Sequence, residues 1–118
     1  MNGATVKDIT IIDSWNNDGN RPMLAYNAYR VTFEKVKLVI NNGKVKGGTD
    51  GYTPIVGASM HACTFRNVEI TSNVEIVNVF YDAQKNIFES LKITADITGK
   101  FSKDIELADV PDTVTIVP

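Results

Sequence analysis

Two polar stretches of the chain carry side chains that could bind a ligand. Their candidate residues are Asp13, Trp15, Asp18, Lys44, Lys46, Asp50 and Tyr52. The rings of Trp15 and Tyr52 can stack on sugar rings, while the charged side chains can bond to hydroxyl or carboxylate groups. If the two stretches lie side by side, they form a binding site for polysaccharide. The alternative is that Trp15 folds over one end of the protein as a lid.

The first stretch also contains oxygen ligands of the type that calcium binds. They are Asp13, Asn16, Asp18 and Asn20. The spacing differs from that of an EF-hand loop, because Trp15 occupies the third position and Gly19 is not the sixth. We therefore predict a solvated turn here, with no metal site and no cofactor.

His61 and Cys63 form a second candidate pair. They are two residues apart and could lie on the same side of a strand, which is the start of a thiol–imidazole pair or of a metal site. No third ligand and no acid that would orient the imidazole lies near them in the sequence. The pattern favours ordinary wall positions for both.

A short repeat must position these residues. It consists of an apolar residue or Pro, two mostly polar residues, and then apolar, polar and apolar residues. It occurs at residues 6–11, 33–38, 65–70, 88–93 and, more weakly, 111–116. The anchor residues Phe33, Phe65 and Phe88 are 32 and then 23 residues apart. Such spacing is typical of loops of variable length on a constant frame.

Upstream of these anchors, residues 23–33, 55–65 and 78–88 align without gaps. Each segment has an apolar residue followed three places later by Asn27, Ser59 or Asp82, which are residue types common in turns. We predict a short strand, a tight turn at these three residues, a connecting strand and a second strand. Because helical periodicity is nearly absent, the repeat indicates an all-β solenoid, a parallel β-helix of about four to five coils.

Stacking the coils predicts columns of equivalent residues. The three interior columns are Phe33, Phe65 and Phe88; Ile9, Val36, Val68, Leu91 and Val114; and Ile11, Leu38, Ile70, Ile93 and Ile116. The outward column between the last two is Thr10, Lys37, Glu69, Lys92 and Thr115. Opposite charges on neighbouring coils would contribute roughly 0.2–1 kcal/mol per pair and help to fix the register. A β-sandwich also alternates apolar and polar residues, but it does not require the equal upstream segments.

Composition and charge argue against several classes of function. A chain of 118 residues with 43% hydrophobic residues is expected to form one domain, residues 1–118. Its net charge of −2 gives no basic field for a nucleic acid, and its apolar runs are too short to cross a membrane. Residues 1–4 have no features of a signal peptide, so we expect an excerpt of a longer protein. The single cysteine, Cys63, excludes an intrachain disulfide.

Residues 31–38 and 63–70, with Asn27, Ser59 and Asp82, are similar to coils of the right-handed parallel β-helices of the pectin-lyase-like class. That class includes pectate lyases, polygalacturonases, alginate epimerases and bacteriophage tailspikes. The resemblance implies a right-handed helix that contacts polysaccharide outside the cell, at the cell surface or on a virion. Members do their chemistry with acidic clusters on an outward sheet face, where this chain has Lys37, Glu69 and Lys92 and no neighbouring pair of Asp residues.

The leading hypothesis is therefore a polysaccharide-binding module without complete catalytic machinery. One alternative is a polysaccharide lyase or glycoside hydrolase fragment that acts through Asp13, Asp18, Asp50 or Glu69. Others are a purely structural stalk and a bacterial surface leucine-rich repeat, which residues 79–83, 91–93 and 110–116 resemble. Because no polar cap is evident at either end, we also expect a homo-oligomer, either a trimer or an end-to-end stack.

Overall fold

The computed structural model describes residues 1–13, 24–41, 56–73 and 75–118. Its strands are β1 (Thr5–Asp13), β2 (Ala25–Tyr29), β3 (Thr32–Ile40), β4 (Gly57–His61), β5 (Thr64–Arg66), β6 (Val68–Ser72), β7 (Phe80–Gln84), β8 (Ile87–Phe88), β9 (Leu91–Thr94) and β10 (Val114–Val117). A 3-10 turn at Leu107–Asp109 is the only helical element in these ranges. The prediction of an all-β fold is confirmed.

The strands form two parallel sheets. In the larger sheet β1 pairs with β3, β3 pairs with both β5 and β6, β5 pairs with β8, and β9 lies between β6 and β10. The smaller sheet has the order β2-β4-β7. Each strand thus stacks on its equivalent from the preceding repeat, which is compatible with a β-helix-like solenoid.

The register agrees with the predicted columns. Phe65 pairs with both Phe33 and Phe88, and Leu91 pairs with both Val68 and Val114. The third interior column is paired throughout as Ile11, Leu38, Ile70, Ile93 and Ile116. The repeat in the sequence therefore predicted which residues of neighbouring coils lie side by side.

One aromatic core joins the two sheets. The ring of Phe65 stacks on Phe33 at 5.2 Å and on Phe88 at 5.0 Å between centroids. It also packs at 5.7 Å against Phe80 of the smaller sheet, which in turn contacts Phe101 at 5.3 Å. Burial of these large rings supplies much of the apolar area that stabilises the fold.

The prediction of tight turns at Asn27, Ser59 and Asp82 is wrong. Asn27 pairs with Ser59, and Ser59 with Asp82, inside strands β2, β4 and β7. The chain instead changes direction at residues with positive φ, which redirect an extended chain. These are Arg30, Ala62 and Lys85 at one corner, and Asp8, Lys35 and Asn67 at the other. Asn86 supports the first corner, since its side chain accepts a hydrogen bond from Cys63 N and donates one to Met60 O.

The outward column has the predicted register, but its charges do not pair as expected. Thr10, Lys37, Glu69, Lys92 and Thr115 are aligned and all exposed. Within the described ranges no ion pair closer than 4.0 Å joins the charged members of this column. Close pairs form instead at the position after each phenylalanine, where Arg66 contacts Glu34 at 3.8 Å and Glu89 at 2.5 Å.

Candidate functional site

The predicted loop site falls mostly outside the described residues. Trp15, Asp18, Lys44, Lys46, Asp50 and Tyr52 are in this group, as are the calcium candidates Asn16 and Asn20. Asp13 is described only through its backbone, which ends β1 and pairs with Ile40 at the end of β3. The two candidate stretches therefore begin beside each other in the sheet. The ligand site itself stays a prediction.

The clearest polar cluster among the described residues lies on the smaller sheet. His61 Nε2 is 3.0 Å from Asp82 Oδ2, and Gln84 Nε2 donates to Asp82 Oδ1 at 2.8 Å. Lys103 Nζ lies 3.7 Å from Asp82 Oδ2. We call these four residues the Asp82 cluster. They come from β4, from β7 and from the segment that follows β7 in the same sheet, since Lys103 N donates to Tyr81 O.

Strand register explains how the cluster forms. Ser59 lies opposite Asp82, and His61 lies opposite Gln84, so His61 and Asp82 are diagonal neighbours on adjacent strands. Diagonal neighbours are within reach of long side chains. The acid that orients His61 is therefore 21 residues away in the chain. Residues close to His61 in the sequence do not indicate this acid, whereas the aligned repeats place it diagonally opposite.

Competing effects set the charge of Asp82. Burial alone would raise the pKa of this carboxyl group, whose residue is only 9% exposed. The hydrogen bonds from Gln84 and His61, together with the positive charge of Lys103, outweigh burial and lower the pKa. Asp82 is thus ionised at neutral pH and acts as an acceptor for the groups around it.

Cys63 does not form a pair with the imidazole. Its thiol lies 3.5 Å from two backbone oxygens, Ala28 O and His61 O. The residue is fully buried, and burial raises the pKa of the thiol. A protonated, inaccessible thiol is a poor nucleophile and a poor metal ligand. The prediction of a wall position is confirmed for Cys63, whereas His61 belongs to the Asp82 cluster.

A cleft of about 390 Å³ lies beside the Asp82 cluster. It is lined by Asn78, Phe80, Tyr81, Gly99, Lys100 and Lys103. Lys103 connects the two features, because its ammonium group lies 5.3 Å from the Tyr81 ring centre as well as near Asp82. Lys100 on the same cleft pairs with Glu106 at 3.2 Å. No motif or periodic pattern in the sequence indicates these lysines.

Gly99 shapes one wall of this cleft. Its N–H donates to Val77 O at 2.7 Å, and a Cβ atom at this position would lie 2.4 Å from that same oxygen. The side chain of Asn78 accepts a hydrogen bond from Lys100 N at 2.9 Å. The absence of a side chain at residue 99 therefore permits the close approach of two backbone segments.

The described residues offer no group of three His, Cys, Asp or Glu side chains that could hold a metal ion. No helix in this part of the chain is long and apolar enough to cross a membrane. In comparisons with known proteins, no family model, no curated protein and no solved structure matches the chain. A proposal for its function therefore rests on the site geometry.

Proposed function

We propose that this chain is part of a right-handed parallel β-helix of about four to five coils that binds polysaccharide without complete catalytic machinery. The coil-by-coil strand register supports the β-helix. A molecule of this kind would act at a cell surface, outside the cell or on a virion. The proposal extends the resemblance between residues 31–38 and 63–70 and pectin-lyase-like coils.

The observation that carries the binding role is the cleft beside the Asp82 cluster. Sugar ligands are recognised by an aromatic side chain together with a few placed hydrogen-bonding groups. Tyr81, Asn78 and the two lysines supply those groups on the cleft wall. The ionised carboxylate of Asp82 contacts His61 and Gln84 and also Lys103, which lines the cleft.

The candidate binding surface continues on the smaller sheet at the C-terminal ends of β2 and β4. Tyr29 pairs with His61 on the neighbouring strand and is 45% exposed. Arg30 lies over the Tyr29 ring at 5.0 Å from its centre. A glycan chain that follows the strand-to-strand direction would therefore meet the ring of Tyr29, the imidazole of His61 and the amide of Gln84 in succession.

A glycan-array screen followed by titration calorimetry tests the proposal. We expect at least one polysaccharide to bind, and Lys100→Ala and Lys103→Ala each to weaken binding. Lys92→Ala is the matched control, because Lys92 is an exposed lysine on the larger sheet. Trp15→Ala distinguishes glycan binding at the predicted loop site from glycan binding at the cleft. Loss of binding only in Trp15→Ala would move the site to the loops.

An array with no ligand for the folded wild-type protein would overturn the binding role. That result would favour the structural-stalk hypothesis. Circular dichroism of each variant shows whether a lost signal comes from the site or from unfolding.

A lyase or hydrolase has one specific observation in its favour. A partly exposed imidazole held by a carboxylate, as in His61 with Asp82, is the arrangement of a general base. Glycosidases also need a carboxylic acid with a raised pKa, whereas the carboxyl groups of Asp82 and Glu89 both have a lowered pKa. Release of unsaturated or reducing sugar ends that His61→Ala abolishes would support an enzyme.

A further inference from the structure

The two sheets differ in how their edges are covered. At the smaller sheet, Gly3 N donates to Tyr29 O beside β2, and Phe80 N donates to Phe101 O beside β7. At the larger sheet, β1 pairs only with β3 and β10 only with β9 within the described ranges. Among the described residues these two edges have no further partner, and they lie at opposite ends of the coil stack. A bare parallel edge is a template for a further strand.

Apolar side chains are exposed along the same two edges. Ile9 and Ile12 of β1 are 43% and 61% exposed, and Val117 of β10 is 39% exposed. On the inner coils the column of Ile12 and Val117 carries Val39, which is partly buried, followed by Thr71 and Thr94. The most exposed apolar residues of this column, Ile12 and Val117, are thus at its two ends, where solvent exposure would otherwise favour polar ones.

The outward column of Thr10 and Thr115 is charged on the inner coils and neutral at both ends. Its inner members are Lys37, Glu69 and Lys92, whereas its terminal members are neutral threonines. Neither terminal coil therefore places a charge in this column against a strand added at its edge. A pair of threonines from two chains can form a cross-strand contact.

A second position of the repeat carries opposite charges at the two ends of the coil stack. Lys7 lies two residues before Ile9, and Asp112 lies two residues before Val114, so both hold the same place in the repeat. Both are exposed. Lys7 pairs in register with Glu34, which in turn pairs with Arg66. A strand bearing an acid on the free side of Lys7 would continue this alternation of charge.

We propose that copies of this chain stack head to tail, with β10 of one copy added in parallel to the free edge of β1 of the next. The register of the inner coils then places Val114 beside Ile9, Ile116 beside Ile11, and Val117 beside Ile12. The partner is a second copy because β10 carries the column pattern that β1 accepts. The interface is heterologous, so repetition builds an open filament. This inference is independent of any glycan binding.

Sedimentation velocity over a range of protein concentrations tests the stack. The wild-type chain is expected to form dimers and longer species as concentration rises. Ile12→Lys and Val117→Lys change opposite ends of the molecule but the same contact, so each should weaken association roughly tenfold. Thr71→Lys is the matched control, since Thr71 is an exposed member of the same column on an inner coil, and it should leave association unchanged.

Charge complementation makes the test specific for the register. Ile12→Lys and Val117→Glu proteins should each associate poorly alone, and mixing them should restore association. A wild-type protein that stays monomeric at high concentration overturns the proposal. So does a dimer that is lost with Ile12→Lys but kept with Val117→Lys, because that pattern describes two β1 edges facing each other. A trimer insensitive to both substitutions overturns it as well.

Discussion

The larger and smaller sheets follow the same repeat but use it differently. In β3 buried and exposed residues alternate over most of the strand, and neighbouring coils stack like on like, as Phe33 on Phe65. In β7 the buried residues include Asp82, whose partners come from β4 and from residue 103. The larger sheet therefore holds most of the apolar columns, whereas the smaller sheet concentrates interacting polar groups. The comparison separates the region that stabilises the fold from the region that could bind a ligand.

Replacing Phe65 should have the largest effect. The ring is fully buried between Phe33 and Phe88 and also packs on Phe80. We expect Phe65→Ala to lower the free energy of unfolding by about 3–5 kcal/mol, measured by urea denaturation. Phe88→Ala is the control and should cost less, since Phe88 is only partly buried. Equal costs would contradict the central place of Phe65 in the core.

Gly99→Ala tests the wall of the cleft. The new Cβ would meet Val77 O at 2.4 Å and Asn78 Oδ1 at 2.6 Å. Because the first contact is with backbone, we expect a loss of about 2–3 kcal/mol in the free energy of unfolding. Thr98→Ala changes an exposed neighbour and should be nearly neutral. A neutral Gly99→Ala would mean that the two segments can move apart.

Asp82→Asn should have an intermediate effect that depends on pH. Burial opposes ionisation of the Asp82 carboxyl group. The contacts with Gln84, His61 and Lys103 outweigh burial and lower the pKa of this group in the folded state below the ordinary value of 3.8. A lowered folded pKa stabilises the protein above the unfolded pKa, and this stabilisation is lost as the pH falls through the folded value. At pH 7 the variant should be about 1.5 kcal/mol less stable than wild type.

The pH dependence provides the check on Asp82. The difference in unfolding free energy between wild type and Asp82→Asn should shrink as the pH falls below about 4, where the carboxyl group becomes protonated. Denaturant titrations at each pH measure it. A difference that does not shrink between about pH 4 and pH 2 would show that the folded state does not favour ionisation of the carboxyl group.

The smallest effect is expected for the exposed charges of the larger sheet. Glu89 accepts from Arg66 Nε and Nη2, and this pairing lowers the pKa of Glu89. Glu89→Gln should slightly lower the thermal midpoint at low salt, and the difference should vanish at high salt because exposed ion pairs are screened. Glu69→Gln is the control and should change nothing at either salt concentration. A larger effect for Glu69 would reverse our assignment of the charged column.

The register was predictable because it depends on local patterns that repeat. Two-residue alternation sets the inward face of a strand, and a shift by one residue would expose the whole apolar set. Aligning the anchors Val6, Phe33, Phe65, Phe88 and Pro111 therefore sufficed to place Ile11, Leu38, Ile70, Ile93 and Ile116 in one column. The tight turns were mispredicted because the preference of Asn, Ser and Asp for turns is weak. Asp82 shows the competing effect, since His61 and Lys103, both distant in the chain, contact one of its oxygens.

The Asp82 cluster could have been predicted from the sequence, but the cleft could not. Aligning the repeats places His61 opposite Gln84 and Ser59 opposite Asp82, which makes His61 and Asp82 diagonal neighbours. The cleft depends on Gly99, Lys100 and Lys103, where the chain leaves the repeat. No periodic pattern indicates which strand such a segment joins.

The sequence by itself determined that the chain is all-β and which residues align between coils. It also determined which residues form the interior columns, except that Ile9, predicted to be interior, is 43% exposed. It could do so because strand alternation and stacking of equivalent residues depend on short-range patterns. Only the tertiary structure decided where the corners lie, that Arg66 rather than Glu69 holds the close ion pairs, and that His61 meets Asp82. Those outcomes depend on backbone conformations and on side-chain contacts between residues 20 or more positions apart, for which single residues carry little local preference.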